Sequence, residues 1–160
     1  MMICAEELVI VLKEKGLKIA FMESCTGGSM AGAITDVPGA SEVFEGSLVT
    51  YSNKEKVRYE VPQRIIDQYT VYSLEVAVAM ATAASYWYDM DEDITVGVTG
   101  SLSRVDPANP ENSTPGEVYF AIYKDCKEIY SEEIIAGGRT RRESKEEIID
   151  HVFGVLLRIL

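Results

Sequence analysis

The sequence predicts an α/β fold, a three-layer α/β/α sandwich around a mixed, mostly parallel sheet of about five strands. Three observations predict it. Short apolar runs alternate with stretches of helical period along most of the chain. The last three extended segments instead follow one another with no helix between them, so at least one neighbouring pair is antiparallel. The 160 residues, 47% hydrophobic and 26% charged, have the size and composition of one domain with a real core. A single domain over residues 1–160 is therefore expected.

The elements follow in order. In "MMICAEELVIVLKEKG", Cys4, Leu8, Val11 and Leu12 recur at helical spacing and mark an amphipathic helix. "LKIAFME" reads as a buried strand ending near Glu23, and "TGGSMAGAITD" as a short helix of small residues halted at "DVPG". "FEGSLVTYS" is a second strand, rich in β-branched and aromatic residues. Asn53 is expected to cap a short helix over "KEKVRYE", and Pro62 to open another through "QRIIDQY". Ser73 suits the N-cap of "LEVAVAMATAASYWYD", whose apolar residues cover nearly its whole circumference, so this helix should be largely buried. After the acidic turn "DMDED" come the strands "ITVGVTG", "EVYFAIYK" and "EIYSEEIIA", the first two separated by the polar loop "SLSRVDPANPENSTPG". From about Arg139 onward, Ile148, Ile149, Val152, Phe153, Leu156 and Ile159 mark a final amphipathic helix.

Bulk properties set limits on function. No apolar run approaches the roughly 18 residues of a membrane span. The first residues lack a basic leader and a small-residue cleavage site, so no signal peptide is read. Cys4, Cys25 and Cys126 are far apart with no CxxC pair. That favours a reducing cytoplasm and gives no zinc signature. A formal charge of −11 argues against a broad nucleic-acid surface, while one local basic pocket can still hold a small anion. The acidic turn from Asp89 to Asp93 lacks EF-hand spacing and reads as a solvated loop, so neither metal nor cofactor is expected. Tyr86, Trp87 and Tyr88 read as packing or as a contact in a homo-oligomer.

One stretch concentrates chemistry. Ser24 sits where a strand gives way to a glycine-rich helix start, whose unpaired N–H groups can hold an anion or an oxyanion. Two readings stay open there, a helix N-cap and a nucleophile. Cys25 is the rival nucleophile, because a helix N-terminus lowers a thiol's pKa, but the sole histidine, His151, lies in the last helix. Lys56 is then the candidate base: in the first turn of a helix its ammonium is disfavoured by the dipole. Lys54 serves as its control. Tyr51, at the strand end, can relay a proton; the competing reading is a surface lysine and a strand-end tyrosine. Arg139, Arg141 and Arg142 cluster at the start of the last helix, where cations oppose the dipole, which suggests a bound anion or a solvated helix start. Gly137 and Gly138 would let backbone approach a phosphate closely.

"ESCTGG", "ITDVPGAS" and "F-x-G-x-x-VTYSN-x-x-K" together resemble the C-terminal domain of the CinA family. Weaker likeness through "VTG" and "GEVYFA" extends over nearly the whole chain, in the form of the stand-alone nicotinamide-nucleotide amidases. The resemblance implies a three-layer fold and a metal-independent hydrolysis of the carboxamide of nicotinamide mononucleotide, giving nicotinate mononucleotide and ammonia. It implies Ser24 as nucleophile with Tyr51 and Lys56 as partners, Tyr51 lying between the two. Helix amides near Thr26 and Gly27 would hold the oxyanion, and Gly28, Ser41, Gly100 and Arg139 would serve the substrate, Arg139 on its phosphate. The chain departs from the family pattern after Gly100. A glycine-rich loop is expected there, and Ser101–Pro115 stands in its place, a change that bears on the substrate. Two alternatives follow from other features: a nucleotide- or partner-binding module of the same fold without turnover, and a phosphate-loop nucleotidase, which lacks its Gly-Lys-Ser/Thr motif.

Overall fold

Ile19–Glu23 forms β1, and every one of its side chains is buried, as expected of a strand with neighbours on both edges and helices on both faces. In this computed structural model, which describes residues 3–160, the chain runs α1 (Ile3–Lys15), β1, α2 (Ser29–Thr35), a 3-10 turn (Ala40–Glu42) and β2 (Phe44–Val49). It continues through α3 (Asn53–Arg58), α4 (Gln63–Tyr69), α5 (Leu74–Tyr88), β3 (Ile94–Gly100), β4 (Glu117–Lys124), β5 (Lys127–Ile135) and α6 (Arg141–Ile159). Met1 and Met2, read above as part of the first helix, lie outside the described residues.

The sheet has five strands in the order β2-β1-β3-β4-β5. β1 pairs in parallel with β2 and β3, and β4 pairs antiparallel with β3 and β5. The sheet is therefore mixed as expected: β4 alone opposes the other four strands, although the ladders divide evenly between the two kinds.

Helices α1, α2 and α6 cover one face, sharing a core with Phe21, Val96, Val98 and Phe120. The α1 face that packs there carries Ala5, Leu8, Val9 and Leu12; Val11 is only half-buried, so the buried stripe is rotated slightly from the one read in the sequence. The segments α4 and α5 cover the other face around Met22, Ile66, Val76 and Met80. Ser73 caps α5 as expected, accepting from the Val76 amide at 3.2 Å. Against β3, α5 comes so close that a Cβ on Gly97 would fall on the backbone of Ala77 and Ala81. No helix among the described residues is long and apolar enough to cross a membrane.

Candidate active site

Because β1, β2 and β3 are parallel, their C-terminal ends share one edge of the sheet. The chain leaves β1 toward β2 on one side and meets β3 on the other, which opens the crevice where α/β sheets hold ligands. Ser24 follows β1, Thr50 and Tyr51 follow β2, and Gly100 ends β3. Around them lies a cleft of about 460 Å³, in the range of small-molecule sites, also lined by Lys56, Tyr72, Arg104, Asp106 and Arg141.

At its floor, Lys56 Nζ lies 3.0 Å from Ser24 Oγ and donates to the Thr50 carbonyl at 2.8 Å. Lys56 is 1% exposed and Ser24 7%. Burial pushes the amine down from 10.5 to about 8, so the neutral form becomes accessible far below the pH at which a free lysine loses its proton. A neutral amine that donates one N–H to Thr50 keeps its lone pair for the Ser24 hydroxyl, the geometry a general base needs. The cause is burial rather than the helix dipole. Ser52, not Asn53, caps α3, accepting from the Glu55 amide at 3.1 Å. The next turn then carries Lys56 inward, while Lys54 stays exposed.

Glu23 was read only as a strand end, yet it organises the turn that presents Ser24. Its fully buried carboxylate accepts from the amides of Gly28, Met30 and Ala31 at 3.0–3.1 Å and from the Ser47 hydroxyl at 2.9 Å. An acidic residue preceding a glycine-rich helix start is a readable signal, since carboxylates favour helix N-termini. Helix α2 accordingly starts at Ser29 rather than Thr26, with Gly28 at its N-cap, so Ser24 is not a cap.

This arrangement corrects the expected oxyanion donors. The Gly27 amide is bonded to the Ser24 carbonyl at 3.0 Å and the Gly28 amide to Glu23, so neither is available. Among the described residues, the amides of Cys25 and Thr26 have no acceptor. The buried hydroxyls without a partner among the described residues are those of Thr26 and Thr50, both beside the reactive pair. Among the described residues, the buried side-chain hydroxyls left without a partner thus cluster at Ser24 and Lys56, as at sites kept for a ligand.

Four further expectations are corrected. Tyr51 does not lie between Ser24 and Lys56, which touch directly; it is 63% exposed, and its hydroxyl accepts from Arg141 at 3.3 Å. Ser41 sits in the turn before β2, at the opposite edge of the sheet, about 20 Å away along a six-residue strand. Arg139 does not line the cleft; Arg141 does, with its guanidinium also donating to Ser103 at 3.1 Å. The glycines before α6 serve the chain itself: the Gly137 amide bonds Glu147 at 2.7 Å, and a Cβ on Gly138 would meet Ser144. Gly100 does line the cleft, and a side chain there would strike β4.

The rival nucleophile fails on burial. The Cys25 thiol is 4% exposed and pushed up to about 12 by desolvation, which overrides the attraction of Lys56. His151 is engaged elsewhere, 2.8 Å from Glu132 on β5, the edge strand two away from β3. Among the described residues, no three His, Cys, Asp or Glu side chains gather as metal ligands. Arg104 and Asp106 escaped the sequence reading because a polar loop announces no contacts, and Tyr72 because its partner lies in that distant loop.

A family model for the CinA C-terminal domain matches residues 2–160. The chain belongs to this family. A CinA-like protein of Dictyoglomus thermophilum is 38% identical over 142 residues, covering 85% of this chain and 33% of its own length. One of Thermosipho melanesiensis is 33% identical over 157 residues, covering 96% and 38%. The chain thus spans about a third of the length of these curated relatives. Among solved structures, a CinA superfamily protein from Escherichia coli superposes with a TM-score of 0.87 at 25% identity, covering 99% of this chain and 90% of that one. The competence/damage inducible protein CihA from Agrobacterium tumefaciens gives 0.85 at 26% identity, over 97% and 92%.

Proposed function

We propose that this CinA-family domain is a serine amidohydrolase that acts on the carboxamide of nicotinamide mononucleotide, without a metal ion. The observation that carries the reading is the buried 3.0 Å contact between Lys56 Nζ and Ser24 Oγ. A lysine buried against a serine, with its pKa brought down to about 8, loses its proton readily, and general-base activation of the hydroxyl accounts for that placement.

In this mechanism, Lys56 takes the Ser24 proton as Oγ attacks the amide carbon. The amides of Cys25 and Thr26 stabilise the oxyanion, in place of the glycine amides already used within the turn. The Lys56 ammonium returns its proton to the departing nitrogen, and ammonia leaves. Water, deprotonated by the same amine, then cleaves the acyl-enzyme and releases nicotinate mononucleotide. Arg141 and Arg104, which both line the cleft, supply the positive charge for the phosphate, while Tyr51 braces Arg141.

The test is ammonia release from nicotinamide mononucleotide with and without chelator. Wild type should turn over in both, and Ser24→Ala should lose at least about a hundredfold with little change in melting temperature, because Ser24 caps no helix. Binding without ammonia release by the wild type would favour the non-catalytic module, and loss of turnover with chelator would end metal independence.

A further inference from the structure

The loop between β3 and β4 forms one wall of the cleft, and Asp106 is its most tightly held side chain. Its Oδ2 accepts from the Tyr72 hydroxyl at 2.7 Å and from Asn109 Nδ2 at 2.8 Å, and its Oδ1 accepts from the Ala108 amide at 3.0 Å. The Asp106 amide donates to Ser113 Oγ at 2.8 Å, and that buried hydroxyl donates to the Asn109 carbonyl at 2.8 Å. The hydrogen bonds from Asn109, Tyr72 and Ala108 hold the carboxyl below its usual range, so it is an anion at neutral pH.

Tyr72 is itself fixed from beneath. Thr70 adopts φ 69° and ψ 160°, a region that a β-branched residue rarely enters, and the Ser73 hydroxyl bonds its carbonyl at 2.9 Å. The Thr99 hydroxyl holds the Val71 carbonyl at 2.9 Å. A strained, multiply bonded turn thus aims Tyr72 at a carboxylate on the cleft wall.

A carboxylate has about four acceptor positions, and these contacts occupy three. The remaining position is on Oδ1, in a cleft whose other charged walls are Arg104 and Arg141. A phosphate only accepts hydrogen bonds and is repelled by Asp106, so it belongs at the arginines. What suits Asp106 is a hydroxyl donor on the same ligand. We propose that Asp106 accepts a hydrogen bond from a ribose hydroxyl of the nucleotide, so that the cleft selects ribonucleotides over deoxyribonucleotides. The inference rests on the amidase reading for the ligand's other end, the carboxamide at Ser24.

The experiment measures equilibrium binding of nicotinamide mononucleotide and its 2′-deoxy and 3′-deoxy forms to the Ser24→Ala protein, which separates recognition from turnover. One deoxy form should bind roughly tenfold to a hundredfold more weakly, as expected for losing a bond to a charged acceptor. Adding Asp106→Asn should bring that ratio to within about threefold, since the amide is a weaker acceptor of similar shape. Adding Tyr72→Phe instead, which removes the brace but keeps the carboxylate, should preserve at least half of the discrimination on a logarithmic scale. A purely structural Asp106 would weaken all three ligands equally, and that result overturns the proposal. Equal binding of ribo and deoxy forms before any change at Asp106 overturns it as well. Ammonia release by the wild type is read in parallel: its absence alongside an intact ribose preference would defeat the amidase reading and leave Asp106 as the ribose acceptor.

Discussion

Lys56 presents a chemical tension at the scale of a single residue, because an ammonium group is costly to bury and this one is 1% exposed with no carboxylate beside it. The protein relieves the cost by lowering the amine's pKa from 10.5 to about 8. If the neutral amine is the base, turnover should rise with pH through a single ionisation near 8, and Lys56→Arg should be nearly inactive while Lys54→Arg matches wild type. Stability carries the same signature. Below about 8 the amine is protonated in both states and the folded protein bears the full burial cost; between about 8 and 10.5 the unfolded chain binds a proton the folded one does not, so stability rises with pH. Lys56→Met should therefore stabilise the fold at pH 7, by at most about 3 kcal/mol, and flatten that rise. Urea melts at pH 7 and pH 10 check both points; an unchanged slope in Lys56→Met would mean that Lys56 is not the titrating group. Ser24 and Lys56 were both legible in the sequence because their motif spans a strand end and a short helix. The place of Tyr51 was not, since the direction of a side chain beyond the last paired residue of β2 depends on what Arg141 does on a distant helix.

At the scale of the element, α2 is seven residues of mostly small side chains, too short to be stable by propensity. Glu23 supplies what it lacks by collecting three of its first amides and tying them to β2 through Ser47. Glu23→Ala leaves those four donors without an acceptor and should cost at least about 3 kcal/mol, measured by chemical denaturation. Glu23→Gln keeps the volume and one acceptor oxygen, and should fall between the two. Under conditions where both variants remain folded, kcat should drop with KM little changed, because Arg141 and the loop wall are untouched. An intact melting curve for Glu23→Ala would mean that water replaces the carboxylate. Every α-helix and strand was readable, but the 3-10 turn at Ala40–Glu42 and some element starts were not. The helix read from Thr26 begins at Ser29, since Gly27 and Gly28 take left-handed backbone angles that a right-handed helix excludes. At α6 the start was in plain view: Thr140 and Glu143 form a capping box, a Ser/Thr-x-x-Glu signature overshadowed by the three arginines around it.

At the scale of the whole molecule, the site exists because three parallel strands end together and the chain reverses its direction of winding at β1. The layer order and mixed sheet were legible from alternating patterns and the helix-free run of three strands. The 101–115 loop was not, because its contacts depend on single polar side chains meeting Tyr72, with no periodicity to announce them. How closely α5 approaches the sheet is reported most directly by Gly97. A methyl group there would meet the α5 backbone at Ala77 and Ala81, and a helix backbone cannot give way as a flexible side chain does. Gly97→Ala should destabilise the protein by about 3 kcal/mol, the upper end of ordinary overpacking. Because α5 begins just after Val71 and Tyr72, its displacement should also lower kcat/KM. Gly154 is the matched control, a glycine inside α6 with open space around its missing Cβ. Gly154→Ala should stabilise by about 0.5–1 kcal/mol through reduced backbone entropy in the unfolded chain, with kinetics unchanged. The two positions lie on opposite faces of the sheet and share no partner, so the double variant should show the sum of both effects within about 0.5 kcal/mol. Equal destabilisation by the two alanines would mean that tight packing of α5 on β3 is not what distinguishes Gly97.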